Sequence, residues 1–391
     1  MKLAAVIHRF GTDFAGGSEG HCRAIMTRLA AHHDITVLTT CAKDHITWAN
    51  EYPEGASTVG PLKVVRFPVV RQRSMHRFAD ISDTVFSGAS PDVEEEQWFR
   101  ENGPEAPALL EHVRKHGREY DRVFFWSFRY YQSFFGLPIV PERSILVPTA
   151  EEDPVIRMRA VNKFFPLASA FLFLTPEERD LVAAHSAAPL APYEIIGSGL
   201  EPPAAGGGDA ARLVALGIRT PFVLYLGRID PNKGCETLLR HFLRFLSETG
   251  RSVQLVMAGP VNMPLPEHPL VKPLGFVDEA VREGLLSSAS VLVVPSPFES
   301  LSLALLEAWN HGLPALVNGR CAVLKGQATR ANGGLYYLNF DEFSRELTHL
   351  LDHPEIARDL GMQGRAYVER EYRWPNVIDK IERFLATVAV A

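Results

Sequence analysis

Val291–Val294 is an unbroken apolar run that Pro295 and Pro297 end, and a helical pattern from about Ser302 to Asn310 follows and stops before Gly312. A short run with apolar side chains pointing both ways fits a strand covered on both faces, the kind found in parallel sheets. Runs of this kind recur at Leu3–His8, Asp34–Thr40, Arg122–Trp126, Ser144–Val147, Ala170–Leu174, Phe222–Gly227, Val253–Ala258 and Pro314–Asn318. Helical patterns alternate with them at Ser18–Ala31, Glu105–Lys115, Pro176–His185, Cys235–Thr249 and Asp278–Ser287. Three more, Phe340–His353, Glu355–Glu369 and about Asn376–Thr387, close the chain. Strand–helix alternation predicts an α/β protein with parallel sheets and helices on both faces.

A chain of 391 residues is long for one domain. The composition changes at Gly197–Gly208, GSGLEPPAAGGG, which reads as a linker. Apolar content of 46% and charged content of 22% describe a globular protein, and a net charge of −6 excludes a surface built for nucleic acid. Cys22, Cys41, Cys235 and Cys321 are too scattered for a metal site and read as reduced, buried thiols, so the expected compartment is cytoplasmic. The apolar start is too short for a signal peptide, and no stretch is long enough to span a membrane.

Chemistry-bearing residues collect after the strands. Glu299 precedes the helix Ser302–Asn310, and Glu307 lies inside it among Leu305, Leu306, Ala308 and Trp309. A carboxylate in so apolar a helix needs a partner, which a ligand hydroxyl could supply. Glu299 also suits a helix dipole. The free amides at such a helix start, around Leu301, Ser302 and Leu303, form an anion site. Arg228 and Lys233 sit five apart in the loop after Phe222–Leu226, a spacing that can clamp a diphosphate from two sides and that also suits an ordinary charged loop. Gly16-Gly17-Ser18-Glu19 lacks the dinucleotide-binding spacing, yet its glycines permit close approach of a phosphate. Gly55–Ala79 holds no acidic residue but contains Lys63, Arg66, Arg71, Arg73, His76 and Arg77; beyond a strand within Leu62–Val70 it reads as loop. Such a loop is either a solvated basic segment or a patch for an anionic acceptor such as a lipid phosphate. Trp126 and Arg129, at the end of a strand, are placed to line a cleft, and Asp153-Pro154 reads as a helix cap.

Taken together these motifs resemble the retaining glycosyltransferases of the GT-B fold, glycosyltransferase family 4 above all. The resemblance rests on Glu299, seven residues, Glu307; on Gly227-Arg228, four residues, Lys233-Gly234; and on Gly16-Gly17-Ser18-Glu19, with Ala258-Gly259-Pro260 and Gly275-Phe276-Val277-Asp278 in the expected order. It implies two Rossmann-like domains facing a central cleft: residues 1–197, joined by a C-terminal helix 373–391 that crosses back, and a donor domain of residues 198–372. It implies transfer of a sugar from a UDP- or GDP-linked donor to a hydroxyl acceptor with retention, in polysaccharide or glycolipid assembly. Neither a cofactor nor a metal is implied, and no Asp-x-Asp is present.

The implied roles are specific. Arg228 and Lys233 hold the diphosphate, Glu299 the donor sugar and Glu307 the ribose. Gly16, Gly17, Ser18, Leu301, Ser302 and Leu303 bound the diphosphate, while Gly259 and the backbone of Phe276 and Val277 meet the base. Trp126, Arg129, Arg71 and Arg73 are acceptor candidates, for a saccharide or a lipid-linked acceptor at the inner face of a membrane. Two departures from the family stand out. Ser302 replaces the usual Gly, and Glu151 stands near the position of the usual His, where it becomes a candidate general base. A nucleotide-sugar epimerase on the same fold, or a two-domain sugar-binding protein, are the alternative readings.

Overall fold

The computed structural model describes residues 1–13, 16–88, 90–204 and 210–388. The chain divides into two compact units, Met1–Gly197 with Ile378–Ala391, and Ser198–Val377. The centre of the expected linker, residues 205–209, lies outside the described residues.

The first unit is built on eight strands: β1 (Lys2–Val6), β2 (Asp34–Thr40), β3 (Gly55–Val59), β4 (Leu62–Phe67), β5 (Arg122–Trp126), β6 (Ser144–Val147), β7 (Ala170–Phe173) and β8 (Tyr193–Ile195). Their order is β3-β4-β2-β1-β5-β6-β7-β8, and all neighbours are parallel except β3 and β4. The order reverses at β1, which pairs with β2 on one side and β5 on the other. In open α/β sheets ligands bind beyond the carboxyl ends of strands at such a reversal.

The second unit has six parallel strands: β9 (Phe222–Leu226), β10 (Gln254–Ala258), β11 (Val271–Gly275), β12 (Val291–Val294), β13 (Ala315–Asn318) and β14 (Gly334–Tyr337), in the order β11-β10-β9-β12-β13-β14. Its reversal lies between β9 and β12, paired through Val223 and Leu224. The helix Cys235–Thr249 buries Leu238, Phe242 and Phe245 against this sheet. Its apolar residues recur every three to four positions, as a helix packed by one face requires.

Four strands went unread in the sequence: β3, β8, β11 and β14. They are the four sheet edges. An edge strand is covered on fewer sides, so β3, β8 and β11 carry no continuous apolar run and β14 only the short Leu335–Tyr337. β11 even contains Pro273, tolerable where no neighbour needs its N–H. The basic stretch is not loop throughout, because Met75–Phe86 is a helix whose Ser74 hydroxyl caps Arg77 N. Met75, Phe78, Ile81 and Val85 carry the spacing that would have revealed it. The last helix runs Trp374–Thr387, and from Ile378 onward it groups with the first unit, where Glu382 pairs with His33 at 2.9 Å. Among the described residues no helix is long and apolar enough to cross a membrane.

Candidate functional site

In the second unit the charged side chains gather on loops that leave the carboxyl ends of β9 and β12, the two strands at the reversal. The loop after β9 carries Arg228 and Lys233. Arg228 Nε lies 3.5 Å from Asp230 Oδ2, and Asp230 Oδ1 accepts from Asn232 N at 2.9 Å. Lys233 Nζ reaches the next loop and donates to Glu299 Oε1 at 2.9 Å. Each cation thus faces a carboxylate that fixes its position while leaving it partly open, with Arg228 42% exposed along its side chain.

Neighbouring loops hold this one in place. Ile229 N donates to Pro260 O at 2.8 Å, and Gly259 N to Gly275 O at 2.8 Å. Gly259 has φ +146°, and a Cβ there would stand 2.0 Å from Gly227 O, so only glycine lets the loops after β9 and β10 approach so closely. Beyond β11, Phe276 stands 81% exposed beside Val277.

The helix Leu303–Asn310 follows β12. Ser302 is its N-cap, with its hydroxyl accepting from Leu305 N at 3.4 Å and its own N–H donating to Gln327 Oε1 at 3.2 Å. Its φ of −91° is open to any residue, so Ser in place of Gly strains nothing. One of the expected anion-binding amides, that of Ser302, therefore has an internal acceptor, as does the Leu305 amide further along the helix. The amides of Leu303 and Ala304 have none among the described residues. Leu301 is buried beside them.

Glu307 has a partner that sequence reading missed. Its Oε1 pairs with Arg282 Nη2 from the helix Glu279–Ser288. Burial pushes the Glu307 carboxyl up, and the Arg282 charge opposes that. Arg282 stands at a helical position facing Glu307, but no local spacing links residues on separate helices.

In the first unit, a second polar cluster lies just beyond β1. Glu19, buried near the start of the helix Gly17–Leu29, accepts from His8 Nε2 at 3.0 Å, Arg9 Nε at 2.5 Å and Ser18 Oγ at 2.9 Å. Burial disfavours its charge, but the facing His8 and Arg9 outweigh this and hold its pKa well below the usual carboxylate range. A Cβ on Gly16 would stand 2.3 Å from Glu19 Oε2, so the glycine before the helix makes room for this carboxylate. Tyr130 stacks on His8 at 3.8 Å, and Thr40 Oγ1 donates to His8 O at 2.6 Å. The polar pair His8-Arg9 at a strand end was the available signal.

Three acceptor candidates are corrected. Trp126 is fully buried, and its indole N–H donates to His21 Nδ1 at 3.3 Å, so it lines no surface. Arg71 donates to Glu105 at 3.0 Å and Glu101 at 2.8 Å. Arg73 donates to Ile46 O at 2.7 Å and lies over the Trp48 ring. Both arginines brace the fold: Arg71 is balanced by Glu101 on the helix Asp92–Asn102 and by Glu105 in the loop after it, while Arg73 is held by backbone carbonyls and Asn102. Arg129 pairs with Asp153, which also caps Val155 N at 3.1 Å. Glu151 is half-buried two residues before Asp153, and its carbonyl accepts from Asp153 N at 2.8 Å.

Residues 220–353 match the family described as "Glycosyl transferases group 1". The matched segment holds Arg228, Lys233, Glu299 and Glu307. A D-inositol 3-phosphate glycosyltransferase of Kribbella flavida is 30% identical over 236 residues, 54% of this chain and 54% of the relative. An MMP alpha-(1->4)-mannosyltransferase of Mycolicibacterium hassiacum is 29% identical over 41% of this chain and 42% of its own length. The chain spans about half the length of the curated relatives it matches. Among solved structures, sucrose-phosphate synthase from Thermosynechococcus elongatus superposes with a TM-score of 0.73 at 17% identity, covering 99% of this chain and 98% of that one. Anabaena HepE in complex with UDP and glucose gives 0.70 at 13% identity, covering 99% and 100%. The likeness shows the fold: two Rossmann-like α/β domains of the GT-B type.

Proposed function

We propose that the protein is a retaining family 4 glycosyltransferase that moves a sugar from a UDP- or GDP-linked donor to a hydroxyl of a saccharide or lipid-linked acceptor. The reading is carried by one observation: two cations and a carboxylate converge on the loops after β9 and β12, with Lys233 bonded to Glu299 at 2.9 Å. The matched segment and the mannosyl- and glycosyltransferase names of its relatives support the same class.

Arg228 and Lys233 neutralise the diphosphate as it leaves, which is the main electrostatic task of the transfer and requires no metal. The open amides of Leu303 and Ala304 add to that field. Glu299, held by Lys233, accepts from sugar hydroxyls. Glu307, held by Arg282, accepts from the ribose, and Phe276 and Val277 border the base. The resemblance to the family assigns Gly16, Gly17 and Ser18 contacts to the diphosphate. Glu151, near Arg129, receives the acceptor proton or binds its hydroxyl. A cytoplasmic enzyme with a peripheral membrane contact fits a lipid-linked acceptor, and Val70 and Met75, 61% and 49% exposed beside Arg77, are the residues we assign to it.

Calorimetry with UDP and GDP on the wild type and on Arg228→Ala and Lys233→Ala tests the reading. One diphosphate should bind the wild type, and each variant should weaken it about tenfold, roughly 1.4 kcal/mol. Unchanged affinity in both variants would sink the assignment. NMR of the product made from the matching sugar donor, with and without a chelator, then reads retention and metal independence.

A further inference from the structure

At the other end of the second sheet's strands lies a cavity of about 320 Å³ that the proposed reaction does not use. Pro221, Ser290 and Pro314 line it, and each immediately precedes a strand, β9, β12 and β13 respectively. The cavity therefore opens at the amino ends of the parallel strands, whereas substrates of such sheets bind at the carboxyl ends. Its volume falls in the range of small-molecule sites, about 300–1,000 Å³.

The walls are mixed. Leu286, Leu313, Leu350 and Leu351 give an apolar body, and Ser287, His311 and Arg358 bring polar groups to it. Arg358 is the one fully charged residue of the lining, which holds no carboxylate. Among the described residues Arg358 makes no ion pair or hydrogen bond. An exposed, unpaired guanidinium at a cavity with mixed polar and apolar walls selects an anion with an apolar portion.

The cavity also has a route to the candidate site. His311 ends the helix that carries Glu307, and its N–H donates to Glu307 O at 3.3 Å. Its ring lies 3.3 Å from Ser287 Oγ through Nδ1 and 3.3 Å from Glu283 Oε2 through Nε2. Ser287 and Glu283 belong to the helix Glu279–Ser288, one residue of which, Arg282, pairs with Glu307. The two helices are thus clasped twice: once at the cavity by His311, and again about one turn away by the Arg282–Glu307 pair.

We propose that this cavity is an effector site for a small organic anion with an apolar body, coupled to nucleotide binding through the His311 and Arg282–Glu307 clasps. The coupling half rests on the nucleotide-binding reading above. The binding half does not.

Phenyl phosphate is the probe, with inorganic phosphate and benzyl alcohol separating its head from its body. Calorimetry on nucleotide-free protein should show phenyl phosphate binding below about 1 mM and at least tenfold tighter than either fragment. Arg358→Glu, a surface change, should weaken it at least tenfold, and Leu351→Trp, which fills the cavity, should abolish it, with thermal unfolding of Arg358→Glu unchanged. Saturating phenyl phosphate should change the dissociation constant of the bound nucleoside diphosphate at least threefold, and by linkage the nucleotide should change that of phenyl phosphate equally. No binding by about 10 mM, or binding indifferent to both variants, overturns the site. Binding at the cavity with unchanged nucleotide affinity overturns the effector role. If no nucleoside diphosphate binds at all, the glycosyltransferase reading fails and the effector role with it, while the phenyl phosphate titration still decides the site.

Discussion

Replacing Arg282 by Met removes the guanidinium that faces Glu307 and keeps most of its packing. The Glu307 side chain is only 24% exposed, so its carboxylate must then remain charged beside apolar neighbours or take up a proton. For a carboxyl of ordinary pKa, protonation at about pH 7 costs about 3–4 kcal/mol, which caps the penalty. Partial exposure screens the charge, so we expect a loss of about 2 kcal/mol. The pH dependence follows from the direction of the shift. Burial already raises the Glu307 pKa in the wild type, and loss of Arg282 raises it further. A carboxyl whose folded pKa lies above its unfolded value contributes most below the unfolded value, and loses that contribution as pH rises toward the folded one. The defect of Arg282→Met should therefore shrink between about pH 7 and about pH 5. Urea unfolding of the wild type, Arg282→Met, Glu307→Gln and the double variant at both pH values measures this, and the cycle isolates the pair. A defect equal at both pH values, or a double variant as unstable as the two single losses added together, would refute the argument.

Three further outcomes are expected. His21 is buried, donating from Nε2 to Gly197 O at 2.8 Å and accepting from Trp126 at Nδ1, and burial lowers its pKa to about 4. Stability should therefore fall as pH drops from about 6.5 toward about 4, by up to about 3 kcal/mol, a slope that His21→Gln should remove in acid-unfolding curves. Gly259→Ala sets a Cβ against Gly227 O and should lose about 2 kcal/mol or more in thermal unfolding and weaken nucleoside diphosphate binding; an unchanged variant would mean the loop yields easily. Glu299→Gln should keep affinity for free nucleoside diphosphate while sugar transfer falls, and Glu307→Gln should weaken free nucleotide and donor alike; the reverse pattern in calorimetry and turnover would exchange their roles.

Much of the architecture was legible in the sequence because central strands of a parallel sheet are covered on both faces. β9 and β12 show that covering as unbroken apolar runs, and β1 and β5 do so after their first residue. Turn chemistry was equally local, as in Asp153 capping the turn begun by Pro154. The spacing of Arg228 and Lys233, and of Glu299 and Glu307, could likewise be read directly, since each pair lies within one loop or one loop and its helix.

Pairing across elements could not be read this way. Nothing in a linear pattern says that Arg282 will face Glu307, that Lys233 will reach Glu299, or that Arg71 and Arg73 will be spent on Glu101, Glu105 and the turn at Ile46. These partners are set by strand order and helix packing, which bring together residues that lie as far apart as Lys233 and Glu299, 66 positions. Burial of Trp126 follows from the same cause: a strand end looks open in sequence, and the helix bearing His21 covers it. Sequence alone determined which short segments become strands and helices, because local periodicity and caps carry that information. Tertiary structure alone decided which charges are neutralised internally and which remain available to a ligand, because a charge finds its counter-ion through space.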